Sequence, residues 1–329
     1  MSLKITDSPN AKDWNQVLEG RGEGDYRQCI QYGDSIENSG RNLRAVRFLA
    51  MDERPLGILQ GIYGRKVFSR LLMGGSSGGG PVLVRMPEQK TREVVSGLLK
   101  TAREFARRKM ISSERIHTFA RHGMAEMMIN QGFSITRNTN IFTVKLGQPS
   151  DVWAGMKKNK RKNVRRASDR NVEVSILRNQ RGIDIFYDMF VEFSRRRSFK
   201  PFDKIWARSL WKAFEDNDMI RVFVAKAGGD AVASALVLNH LDAAFCPYTC
   251  STEAAGDLRA NDMLHWRVIE WAASKRMSRY NMGEVFTDRS AEQYGLFRWK
   301  RGFGGSIDRM QILDMKLLPL VQRVKRILP

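Results

Sequence analysis

Tyr280-Asn281-Met282-Gly283, followed downstream by Tyr294-Gly295-Leu296-Phe297-Arg298-Trp299-Lys300-Arg301-Gly302-Phe303-Gly304-Gly305, is the most informative part of this chain. The first four residues read as the end of a strand, and the run from Tyr294 interleaves aromatics, cations and glycines. Glycines beside a lysine let the backbone approach a ligand closely while a charge sits within reach. A lysine near a scissile ester can stabilise the oxyanion of a tetrahedral intermediate. On spacing alone, a bend packed with aromatic core side chains fits equally well.

Upstream, Val152 to Arg170 reads as one basic helix. Between Met156 and Arg170, Lys157, Lys158, Lys160, Arg161, Lys162, Arg165, Arg166 and Arg170 are opposed only by Asp169. Lys158, Arg161, Lys162 and Arg165 share a face at the three-to-four spacing, where like charges repel. That cost favours a bound phosphate over a merely solvated face. A basic surface helix and a contact with anionic lipid are the alternatives.

Outward from there, Val172 to Leu177 reads as a strand, Ile183 to Arg197 as a helix, and Trp206, Leu210, Trp211 and Phe214 as another. Arg221 to Ala227 and Ala231 to Asn239 form a hairpin across Gly228-Gly229-Asp230. Phe245 to Thr249 is a further strand, Asp262 to Met277 a helix and Tyr280 to Met282 a strand. The first half follows the same order. A short helix around Asp13 to Leu18 and a glycine-rich irregular segment through Gly40 precede a hairpin, Leu43–Met51 and Pro55–Tyr63, across Asp52-Glu53-Arg54. Gly74 to Pro81 is a glycine-proline loop, and Val82 to Val84 a strand. From Pro87 to Met110 an amphipathic helix carries Val94, Val95, Leu98, Leu99, Ala102, Phe105 and Ala106 on its apolar stripe. Arg115 to Phe119 is a strand, Met124 to Gln131 a helix and Phe142 to Leu146 a strand. Pro319 to Leu328 reads as a closing helix. The repeated hairpin, helix and strand indicate a duplicated α/β domain. The expected boundary lies at Gly147-Gln148-Pro149-Ser150, giving domains 1–149 and 150–329.

A length of 329 residues suits two domains. With 42% hydrophobic and 28% charged residues the composition is that of a globular protein. No stretch reaches the ~20 apolar residues of a membrane span, and Met1 to Gln16 has no apolar signal core. The expected location is cytoplasmic, with the inner membrane face as a possible place of peripheral contact. Cys29, Cys246 and Cys250 suit buried thiols in a reducing compartment better than a disulfide framework. The histidines lack metal-ligand spacing, so no metal or resident cofactor is expected. Fifty-six Lys and Arg against 35 Asp and Glu give a formal charge of +21, a field that attracts polyanions such as tRNA, nucleotide-linked precursors, CoA or anionic lipid.

Arg161-Lys162-Asn163-Val164-Arg165-Arg166-Ala167 with Val172-Glu173-Val174 resembles the basic helix and strand that open the second domain of the FemAB-type aminoacyltransferases. Tyr280 to Gly283 and Gly295 to Gly304 resemble that family's C-terminal signature, an aromatic, a short Asp- or Asn-bearing stretch, a glycine, then Phe-Lys-x-x-Phe-Gly. The likeness is specific from about Val152 to Gly305; the first half matches by layout and its glycine-proline loop. It implies two tandem GNAT-like domains, each a mixed sheet flanked by helices. It also implies transfer of an aminoacyl group from aminoacyl-tRNA to an amine of a peptidoglycan or other cell-envelope precursor. The family's essential Phe-Lys pair falls on Trp299 and Lys300, and the following Phe-Gly on Phe303 and Gly304. Trp for Phe, and Glu284 where a second glycine is common, are departures. The long coiled-coil arm of some members has no counterpart, because Phe214 leads almost directly into the Arg221 hairpin. On this reading Lys300 stabilises developing negative charge and Arg161, Lys162 and Arg165 hold phosphates. Tyr248, Glu284 and Asp288 are candidates for base or positioning roles.

Two other readings stand beside it. An acyl-CoA-dependent N-acetyltransferase keeps the fold, but the spacing that binds CoA pyrophosphate at a helix N-terminus is absent from Ala254 to Asn261 and from Val84 to Glu88. A non-catalytic nucleic-acid-binding protein would use the charge and stack bases on Trp299 and Phe303, yet no known nucleic-acid-binding motif is present.

Overall fold

The computed structural model describes residues 3–20, 24–65, 69–73, 80–119 and 123–317. Its contacts divide the chain into two units, Met1–Thr139 with Asp308–Pro329, and Asn140–Ile307. The expected single boundary at residues 147–150 therefore differs from the observed division. A last strand, which the sequence reading did not anticipate, belongs to the first unit.

The first unit contains β1 (Lys4–Thr6), α1 (Ala11–Glu19), α2 (Ile30–Glu37), β2 (Leu43–Met51), β3 (Pro55–Gly64), β4 (Arg70–Met73), β5 (Val82–Leu83), α3 (Glu88–Arg108), β6 (Ser113–Phe119), α4 (Met124–Ile129) and the start of β7 (Ser134–Lys145). Its strands run in the order β1-β2-β3-β4-β6, then the last strand of the chain, with β5 also on β3. Only β4 and β6 pair in parallel among these, and α3 lies between them in the chain. The seven apolar residues expected on the face of α3 are the seven it buries. They close over Phe48, Leu59, Leu71 and Ile116 of the sheet. One expectation fails here: α2 occupies the segment read as irregular. Gly33 sits inside this helix, and Arg47 and Gln60 press against it. A Cβ there would lie 2.6 Å from the Arg47 guanidinium. Most of the glycine-proline loop, residues 74–79, and the expected closing helix at 319–328 lie outside the described residues.

The second unit begins with the end of β7 and continues through α5 (Pro149–Gly155), α6 (Lys158–Asp169), β8 (Glu173–Leu177), α7 (Gln180–Arg196), α8 (Lys204–Phe214), β9 (Ile220–Ala227), β10 (Asp230–His240) and β11 (Ala243–Ser251). After these come α9 (Ala255–Leu258), α10 (Ala260–Ser274), β12 (Arg279–Val285) and α11 (Tyr294–Lys300). The strand β13 (Ser306–Lys316) then leads back to the first unit. The strand order is β7-β12-β11-β10-β9-β8. Again one pair is parallel, β11 with β12, and α10 lies between them in the chain. Each unit is thus a mixed sheet flanked by helices, as expected.

Two local departures shape the second unit. The single basic helix expected over Val152–Arg170 is two helices, because Met156 and Lys157 are extended, with ψ of 145° and 144°. The Arg161 guanidinium reaches back to the carbonyls of Trp153, Ala154 and Met156 and so caps the exposed end of α5. Secondly, β11 and β12 pair only from Ala243–Arg279 to Phe245–Asn281. Beyond that point β12 bulges against β7, where register jumps from Asn281↔Thr143 to Glu284↔Ile141.

Candidate functional site

The bulge in β12 is the foundation of the site. Gly283 takes φ +83°, a conformation that favours glycine, and Asn281 holds it there through a hydrogen bond from the Gly283 amide to its side-chain oxygen, 2.8 Å. Two carbonyls at the bulge, Met282 and Glu284, accept from the Lys300 ammonium at 2.6 and 3.1 Å. Lys300 is 7% exposed and its pKa is lowered to about 8. Burial is the main cause, opposed by the nearby Cys246 thiol and Glu284 carboxylate. An ammonium has three donors, and the third has no protein partner among the described hydrogen bonds. With that pKa the group stays largely protonated at neutral pH.

Trp299, one residue earlier on α11, points elsewhere. Its indole N–H donates to Asp262 Oδ1 at 3.1 Å. The same oxygen receives the Lys160 ammonium at 2.5 Å, while Asn163 Nδ2 stands 3.5 Å from Oδ2. Lys160 lies over two rings, 4.2 Å from the centre of Trp299 and 4.4 Å from that of Phe303. Its stem passes across Gly302, where an added Cβ would stand 2.5 Å from Lys160 Cε. Behind the indole, His265 makes edge contacts with Trp299 and its Nδ1 is 2.7 Å from the Tyr280 hydroxyl. Burial, with the charges of Lys300 and Lys160, lowers the His265 pKa to about 3, so this ring is neutral. Burial likewise raises Tyr280, which keeps its proton. A pocket of about 460 Å³ opens on this side, lined by Lys157, Lys160, Asn163, Arg298, Trp299 and Arg301 among others.

Of the residues expected at the site, Trp299 and Phe303 stand together, Lys300 turns to the β12 bulge, and Gly304 makes the turn after them with φ +84° against the carbonyl of Gly155. Glu284 contributes its carbonyl to Lys300. The stretch expected as either a site or an aromatic bend is the helix α11 followed by a tight turn at Arg301–Phe303. Arg161 is committed to the end of α5, which separates it from the expected phosphate-holding face. Lys162 and Arg165 remain on the exposed side of α6, with Arg165 5.7 Å from the centre of the Trp153 ring. Tyr248 packs in an aromatic group with Phe190, Phe202 and Trp206. Asp288 is exposed, its Oδ1 accepting from the amide and hydroxyl of Ser290, bonds that lower its pKa.

Lys160, Asp262 and His265 are the residues that sequence reasoning passed over. Their signal was phase: Lys160, Val164 and Ala167 form the buried side of α6, so the lysine sits on the apolar stripe. Asp262 and His265 lie in a helix that buries residues all round. The three cysteines are buried free thiols, as expected.

Residues 154–301 match the family model described as an Acetyltransferase (GNAT) domain. No curated protein sequence matches the chain. Among solved structures the chain is similar to FemX, with 14% identity, TM-score 0.80 and the whole of both chains covered. It is also similar to a tandem GNAT protein from the clavulanic acid biosynthesis pathway, with 10% identity, TM-score 0.62, and 97% of this chain and 99% of that one covered. For the L-PGS of Bacillus licheniformis the figures are 14%, 0.60, 99% and 97%. The chain has the FemAB-like tandem GNAT fold, and its matched region is an acyltransferase-type enzyme domain. No helix of the described residues is long and apolar enough to cross a membrane.

Proposed function

We propose that the chain transfers an aminoacyl group from aminoacyl-tRNA to an amine on a cell-envelope precursor, with no resident cofactor. The observation that carries this reading is the Lys300 ammonium, buried in the bulge with one N–H uncommitted among the described bonds. The acceptor amine attacks the ester carbonyl and forms a C–N bond. The carbonyl electron pair moves to oxygen, where Lys300 stabilises it. Collapse of the intermediate breaks the C–O bond, and the departing tRNA hydroxyl takes the proton that the amine gives up. The cationic rim at Lys157, Arg298 and Arg301, with Lys162 and Arg165 on α6, suits phosphates of donor or acceptor.

Binding to aminoacyl-tRNA, uncharged tRNA and acetyl-CoA at physiological salt tests the reading. Preference for charged over uncharged tRNA, lost in Lys300→Ala, is the expected outcome. Equal affinity for both tRNAs overturns it. An acyl-CoA donor is favoured by one observation. A second pocket, of about 430 Å³, lies where α10 begins and is lined by Arg196, Arg197, Ser251, Thr252, Gly256 and Asn261 among others. Such a helix start accepts pyrophosphate. Saturable acetyl-CoA binding with indifference to the aminoacyl group would support that donor instead.

A further inference from the structure

A helix of seven residues is marginal by itself, and α11 has no side-chain N-cap. Its geometry must come from tertiary anchors: Phe297 is buried against Phe142, and two polar anchors hold the last turn. Lys300 grips the β12 bulge on one side. On the other, Trp299 is held by Asp262 of α10 and covered by Lys160 of α6. Adjacent residues on a helix point about 100° apart, so fixing the indole fixes the rotation of α11 and with it the line along which Lys300 reaches. We propose that Asp262 is a positioning residue for Lys300: it acts by accepting the Trp299 indole N–H, and Lys160 serves to neutralise it. The kinetic part of this inference rests on the acyl-transfer reading above; the structural part does not.

Stability alone does not account for the pair. Lys160 and Asp262 are both buried, and taking two charges out of water often costs as much as their attraction returns. Apolar side chains of similar size commonly do as well. What an apolar pair lacks is an acceptor with a fixed direction. Asp262 Oδ1 is that acceptor, shared between Lys160 Nζ and Trp299 Nε1. Lys160 lowers the desolvation cost of the carboxylate without touching the indole N–H, since it approaches the ring from its face. Gly302 permits this approach by leaving room for the lysine stem.

The test compares two double variants of the full chain, Lys160→Met/Asp262→Asn, which keeps a neutral acceptor, and Lys160→Met/Asp262→Leu, which removes it. Each is labelled with 5-fluorotryptophan, and the Trp299 line in the fluorine spectrum is assigned by its loss in Trp299→Phe. The Asn form should keep one narrow Trp299 line near its original position. In the Leu form, at a thermal midpoint no lower than that of the Asn form, the line should shift or split. In the transfer assay kcat should fall roughly ten- to a hundredfold in the Leu form, with KM changed by less than about twofold, and should be rescued in the Asn form. An unchanged Trp299 line in a folded Leu form overturns the inference, as does an unchanged kcat. Should the Leu form fail to fold, Trp299→Phe removes the indole N–H together with part of the ring, and an unaltered kcat there overturns it. If the original chain shows no transfer from aminoacyl-tRNA, the functional reading fails, and the fluorine spectra still decide whether Asp262 positions the indole.

Discussion

The two units repeat one plan, a helix between two parallel strands of a mixed sheet, and differ in the charged groups buried beside that helix. In the second unit α10 buries Asp262 and His265, and with Lys160 and Lys300 these groups find partners and converge on α11. In the first unit α3 buries only apolar residues. Facing that unit's interior, Glu114 of β6 is fully buried, and neither of its carboxylate oxygens has a hydrogen-bond partner. Burial lifts its pKa to about 7, although Arg103 and Arg107 pull the other way. The buried charges around α11 are thus hydrogen-bonded to one another or to the backbone, whereas the Glu114 carboxyl has no hydrogen-bond partner. A fully satisfied network can specify a geometry, whereas a lone buried carboxyl chiefly costs stability.

The largest expected effect is on the stability of the second unit. Asp262→Leu alone strands the Lys160 ammonium and should cost about 3–5 kcal/mol in denaturant unfolding. A loss below 1 kcal/mol would show that the pair is not a buried charge pair in solution. Next comes Lys300→Met, for which the transfer rate should fall about 10²- to 10³-fold, the scale of losing one oxyanion donor. The folded-state pKa of Lys300, about 8, is depressed, so its charged form costs stability at lower pH, and the cost fades as pH rises toward the ordinary lysine value. The rate of the original chain should accordingly decline above about pH 8, as Lys300 loses its proton; a rate still rising at pH 9 would remove the ammonium from the mechanism.

Glu114→Gln should do the reverse of Asp262→Leu. A raised folded-state pKa means that the carboxyl stabilises relatively at low pH and that this is lost as pH climbs through 7. The variant should therefore unfold later than the original chain at pH 8, by on the order of 1–3 kcal/mol, with the gap closing near pH 4. No gap at pH 8 would mean that Glu114 finds a partner in solution. An effect of similar size and opposite sign is expected for Gly302→Ala. Its Cβ meets the Lys160 stem, and overpacking of this kind costs about 1–3 kcal/mol. A neutral result in thermal unfolding would show that the lysine can move aside.

Much of the framework was legible because it rests on local pattern. The stripe of α3 and the polar turns at Asp52–Arg54 and Gly228–Asp230 are short-range signals, and each gave its element to within a residue or two. Lys300 and Trp299 stood out by resemblance. What the sequence hid depends on distant partners. Arg161 looks like part of a cationic face until three carbonyls of α5 are seen around it. Lys160 looks solvated by its type, and only its phase with Val164 and Ala167 says otherwise. Between β6 and β13, Arg115 and Asp314 pair across nearly two hundred residues of chain, beyond any local periodicity.

That last strand also sets an order of events during synthesis. Asn140–Ile307 is one unbroken stretch, complete when its end leaves the ribosome. The N-terminal unit emerges earlier, yet β6 waits for a neighbour that is translated after all of the second unit, along the register Ser113↔Lys316 to Phe119↔Met310. An unpaired strand edge is an aggregation hazard while it lasts. The half of the protein made first is the half finished last, and its exposed edge must be sheltered for the time it takes to translate the other.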